Sequence, residues 1–117
     1  MTPEQLRQRT KEFGLRIVHL VTALPDDRIG DVFARQILRC GTSIGANYRE
    51  ASRASSKKQF VYVMEVALRE ADETLYWLEL IADSKLVNPA RLQSLQDECN
   101  QLISILVASI RTSKGRS

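Results

Sequence analysis

The sequence predicts an all-α fold, an antiparallel up-down-up-down four-helix bundle, and three observations carry this expectation. Apolar residues recur at steps of three and four through four segments, no segment alternates with the period of a strand, and short turns bearing proline, aspartate or serine separate the segments. With 117 residues and 44% hydrophobic content, the chain supports one core and is too short for two. Residues 1–117 therefore read as a single domain.

The first helix opens at Thr2-Pro3-Glu4-Gln5, where threonine caps, proline suits the first helical position and Gln5 stands in capping-box register. Leu6, Phe13, Ile17, Leu20, Val21 and Leu24 follow at helical spacing, and Leu24-Pro25-Asp26-Asp27 ends the segment in a turn. The second helix runs from about Ile29 to about Ala54, with Ile29, Phe33, Ile37, Cys40, Ile44, Tyr48 and Ala51 on one face. Gly41 and Gly45 each cost about 1 kcal/mol relative to alanine. Their presence implies either close approach of a neighbouring backbone over Gly41, Ser43, Gly45 and Ala46, or a break into two shorter helices.

Ser55-Ser56-Lys57-Lys58-Gln59 supplies the next cap, and Phe60, Met64, Ala67, Ala71, Leu75, Leu78 and Ala82 form the core stripe of the third helix. Val63, Val66, Trp77 and Leu80 occupy an adjacent sector beside Glu70, so this helix is apolar over a wider arc than a monomeric bundle needs. That surplus reads as a subunit interface or as a wide core-facing sector. Asn88-Pro89 begins the fourth helix, whose seam is Leu92, Leu95, Cys99, Leu102 and Leu106. From about Arg111 the chain reads as a short, polar, basic tail.

The charged residues point to function. Arg35, Arg39, Arg49 and Arg53 project onto one face of the second helix, opposite its apolar stripe, and Lys57 and Lys58 extend the run. Cations along a rigid rod suit a polyanion such as RNA or DNA; they also suit a solvated surface. Residues 1–60 hold 11 Lys/Arg against 6 Asp/Glu, and the remainder 6 against 8, so charge permits polyanion binding or head-to-tail matching between subunits.

Catalytic constellations are absent from the pattern. His19 is the only histidine, which excludes a two-histidine di-metal bundle site, and Cys40 and Cys99 lack the spacing of a zinc site. Gly41-Thr-Ser-Ile-Gly45 follows a helix and lacks the lysine of a phosphate loop. Glu65, Asp72 and Glu79 repeat every seven residues as a solvated acidic face. Glu70 calls for an arginine of the second helix or of another subunit, and Asn47 for a specifying hydrogen bond as a buried polar group. The expectation is a non-enzyme without metal or other cofactor. Thiols used as small apolar residues, a polar start and no membrane-length apolar run place it in the cytoplasm, with no membrane partner.

Three blocks, Gly41-Thr-Ser-Ile-Gly-Ala-Asn47-Tyr-Arg-Glu50-Ala51, Ser56-Lys-Lys-Gln-Phe60 and Ala67-Leu-Arg-Glu70-Ala-Asp-Glu73-Thr-Leu-Tyr-Trp77-Leu, resemble the four-helix-bundle ribosomal RNA intervening-sequence proteins of bacteria. The chain departs from the common Asn-Ile-Ala-Glu-Gly form by reading Asn47-Tyr-Arg-Glu50-Ala51, which adds a cation and removes a glycine. That family is similar to the accessory variability proteins of diversity-generating retroelements. The resemblance implies a five-membered ring, a basic surface, and association with a reverse transcriptase and nucleic acid. Two functional expectations stand side by side. One is an oligomeric nucleic-acid-binding accessory protein that contacts phosphate through Arg35, Arg39, Arg49, Arg53, Lys57 and Lys58. The other is an interaction scaffold whose basic stripe pairs with acidic residues of a neighbouring subunit.

Overall fold

Thr2 fixes where the first helix begins. Its Oγ1 accepts the Gln5 backbone N–H at 3.1 Å while the Gln5 side-chain oxygen accepts the Thr2 N–H at 2.8 Å, a reciprocal cap that leads into α1 (Pro3–Ala23). Asp27 Oδ1 accepts the Gly30 N–H at 2.8 Å and starts α2 (Arg28–Ser52). Glycine is required at that cap, because a Cβ on Gly30 would run into the carbonyl oxygen of Pro25. Ser56 caps α3 (Lys57–Asp83) through the Gln59 N–H, and Gln59 reaches back to Ser55. The structure, a computed structural model, describes residues 1–115.

Each helix packs on the next in sequence, antiparallel, with α1 and α4 (Gln93–Lys114) meeting more sparsely, and the rod measures 50 × 21 × 20 Å. No strand occurs among the described residues. The four-helix bundle expected from the periodicity is the fold observed.

The glycines of α2 are close-approach residues. A Cβ on Gly41 would stand 2.8 Å from Ile17 Cγ1, and one on Gly45 would stand 3.3 Å from Thr10 Oγ1, so their absence lets α1 settle onto α2. The helix continues through both, and the break does not occur. Phe13, Ile17, Ile37, Ile44, Met64, Leu78, Ile81, Leu102 and Leu106 fill the interior. Burial of each such side chain contributes about 1.5–3 kcal/mol. Thr10 and Thr74 are buried with them, each hydroxyl donating to the carbonyl four residues back, at 3.0 and 2.7 Å.

Four expectations need correction. Ile29 lies in the first turn of α2, at the end of the bundle, and is exposed. Asn88-Pro89 opens a separate 3₁₀ turn, Pro89–Arg91, and α4 starts only at Gln93. Residues from Arg111 to Lys114 are helical because Ile110 still anchors the last turn in the core and Gly115 caps it; the two remaining tail residues, Arg116 and Ser117, lie outside the described residues. Asn47 is half-buried and donates to the Ser43 carbonyl at 2.9 Å within its own helix, so it specifies no packing between helices.

Candidate functional site

Because α2 is unbroken, the outer arginines do share a face, but they do not form a continuous strip. Arg35 and Arg49 are 14 residues apart, about 21 Å along the axis, and Leu38, Thr42 and Ala46 lie between them without charge. Arg39 is taken out of the free set by α3: its Nη1 donates to Glu70 at 3.3 Å and its Nη2 to Glu73. The arginine partner sought for Glu70 is thus found within the chain. Lys57 starts α3 and does not prolong α2.

Topology gathers most of the remaining cations in one half of the rod. In an up-down-up-down bundle the start of α1, the end of α2, the start of α3 and the end of α4 coincide. That half, residues 1–13, 41–70 and 104–115, holds ten Lys/Arg and five Asp/Glu; residues 14–40 and 71–103 hold six and nine. Arg49, Arg53, Lys57 and Lys58 belong to the basic half, Arg35 and Arg39 to the acidic one.

Two hollows carry cations of the basic half, the first of them reaching past the middle of the rod at Leu15 and Val18. One, of about 500 Å³, lies between α1 and α2, where Arg7, Lys11 and Arg49 surround Gly14, Leu15, Val18, Thr42, Gly45 and Ala46. The other, of about 630 Å³, is lined by Lys57, Lys58, Val61, Tyr62, Glu65 and Lys114. Lys114 Nζ meets Glu65 Oε2 at 3.3 Å, whereas Arg7, Lys11, Arg49, Arg53, Lys57 and Lys58 form no ion pair among the described residues. Sequence reasoning missed Arg7, Lys11 and Tyr62, because it searched along one helix and not across the ends of four.

The sector expected as an interface divides. Val63 belongs to the core of the single chain, which removes it from any interface, and Glu70 is engaged with Arg39. Trp77 is half-buried: its indole N–H donates to Glu73 at 3.1 Å, and its ring meets Phe33 and Tyr76 edge-on at 5.4 and 5.9 Å. Leu80 is half-buried one turn after it on α3, and Val66, also half-buried, lies about three turns before it. The antiparallel register that pairs Phe33 with Trp77 puts Ile29 level with Ile81, next to Leu80. Exposed Ile29, Val32 and Tyr76 therefore widen an apolar face at the α2–α3 seam, in the acidic half.

Both cysteines are free and buried. Burial pushes the Cys99 thiol up to about 12 and raises Cys40 as well, the opposite of an activated nucleophile. Among the described residues no group of three or more His, Cys, Asp or Glu is placed to hold a metal ion. No helix is long and apolar enough to cross a membrane.

Comparison with known proteins agrees with this architecture. No curated protein matches the chain. It is similar to a crystal structure of a protein of unknown function from the S23 ribosomal protein family of Bacteroides thetaiotaomicron, at 36% identity and a TM-score of 0.87, over 95% of this chain and 99% of that one. The family model described as 23S rRNA-intervening sequence protein matches residues 4–108, which take in α2 and α3 whole and most of α1 and α4. The chain belongs to the 23S rRNA-intervening sequence protein family.

Proposed function

We propose that this protein is a non-enzymatic, oligomeric nucleic-acid-binding accessory protein that holds RNA or DNA by its phosphates. The observation that carries the reading is the concentration of unpaired cations in one half of the rod, the half-buried Arg7 and the exposed Lys11, Arg49, Arg53, Lys57 and Lys58. Phosphate contacts of this kind are sequence-independent and weaken steeply with salt. The apolar seam of Ile29, Val32, Tyr76, Trp77 and Leu80 is the proposed subunit contact, and it leaves the basic end free. The likeness to retroelement accessory proteins extends the proposal to a ring of five subunits and a reverse transcriptase partner.

Replacing Arg49, Arg53, Lys57 and Lys58 together by glutamine should abolish retention of labelled RNA or DNA on a filter at low salt, while Arg35→Gln should change it little. Full retention by the fourfold variant removes the end face from the mechanism. For assembly, Ile29→Asp with Tyr76→Asp is a cleaner probe than Trp77→Ala, since neither exposed residue holds the core together. Smaller species by sedimentation are expected, and an unaltered native mass counts against the seam.

A second reading rests on the acidic half of the rod, which complements the basic end of another copy. As a scaffold, the protein would use its cations between subunits: the fourfold variant would then dissociate, and the wild type would hold no nucleic acid.

A further inference from the structure

Tyr62 is 65% exposed, the most exposed aromatic side chain of the protein, and nothing in the bundle accounts for it. Tyr76, also exposed, has its ring committed edge-on to Trp77; among the described residues no such aromatic pair involves Tyr62. Lys58 lies one helical turn before Tyr62 on α3, and both line the 630 Å³ hollow with Lys57, Val61, Glu65 and Lys114. Glu65 is answered by Lys114 across the hollow, so Lys57 and Lys58 give the site a net positive charge around one exposed ring next to Val61.

Phosphate contacts alone need no aromatic residue. A flat π-face set among lysines suits a strand whose bases are unpaired, because stacking takes any base while the cations follow the backbone. A duplex hides its base faces and offers such a ring nothing. Resting on the polyanion reading, we propose that Tyr62 is a stacking platform for an unpaired base, and that the protein prefers single-stranded nucleic acid, with Lys57 and Lys58 holding the flanking phosphates.

The test compares the wild type, Tyr62→Ala, Tyr62→Phe and the pair Lys57→Gln/Lys58→Gln for affinity to a single-stranded homopolymer, a duplex of equal length and an abasic strand of equal length, which keeps phosphates but has no bases. Tyr62→Ala should weaken single-strand binding roughly five- to hundred-fold, leave duplex and abasic binding unchanged, and be rescued by Tyr62→Phe. The lysine pair should weaken all three and flatten the salt dependence. Circular dichroism confirms that each variant is folded. Equal affinity of Tyr62→Ala and wild type for the single strand overturns the stacking proposal, as does an equal loss on the abasic strand. Wild type that binds none of the three probes overturns the polyanion reading itself.

Discussion

Arg9 and Glu98 join α1 to α4 through a two-pronged pair, Nε to Oε2 and Nη2 to Oε1, both at 2.7 Å, in the one helix pairing with sparse packing. The carboxylate holds the guanidinium proton, which raises Arg9 above its usual range. A paired, mostly covered fork of this geometry is worth more than an exposed ion pair. Glu98→Gln should cost about 1 kcal/mol in urea denaturation, and a double-mutant cycle with Arg9→Met should return coupling of the same order. No coupling would mean that apolar contacts alone close the bundle there.

Gly41→Ala sets two effects against each other. Alanine gains about 1 kcal/mol in helix propensity, but its methyl would press on Ile17, which is fully buried and has no room to retreat. Overpacking of this kind costs about 1–3 kcal/mol. Net destabilisation of about 1 kcal/mol is expected in thermal unfolding, and a stabilised variant would show that α1 can shift.

Lys85 has φ 60°, the left-handed region, at the end of α3, where its N–H reaches the Ala82 carbonyl and the Leu86 N–H reaches that of Ile81. Glycine adopts this conformation without the Cβ penalty. Lys85→Gly should raise stability by about 0.5–1 kcal/mol, read as a higher urea midpoint at unchanged m-value; a lower midpoint would contradict the motif.

Cys99 makes stability depend on alkaline pH. Its folded value, about 12, lies above that of an unfolded thiol, so its contribution is complete below about pH 8.5 and is lost as pH rises toward 12. Between these limits the wild type should lose stability more steeply than Cys99→Ala. Parallel pH profiles for the two proteins would show that the thiol ionises freely in the fold.

Periodicity and caps made the fold legible: Thr2 with Gln5 and Ser56 with Gln59 start helices where their spacing implied, and Gly41 and Gly45 have the contacts that their small size suggested. The helix ends were less so, because the 3₁₀ turn after Asn88 and the left-handed Lys85 follow from how the chain must re-enter the bundle. The candidate site was legible only in part. One-helix projection found Arg49 and Arg53, yet it could not show that Glu70 and Glu73 claim Arg39, nor that Arg7, Lys11 and Tyr62 come to the same end from other helices. Those are products of the antiparallel order of the helices.

Opposite signs at the two ends of a 50 Å rod give the molecule a lever arm in an electric field. Near a polyanion the positive tip is pulled and the negative tip pushed, so the protein turns before it touches and arrives tip first. Contact made end-on leaves the sides of the bundle clear for neighbours, and the same torque fades as added salt shortens the reach of the field.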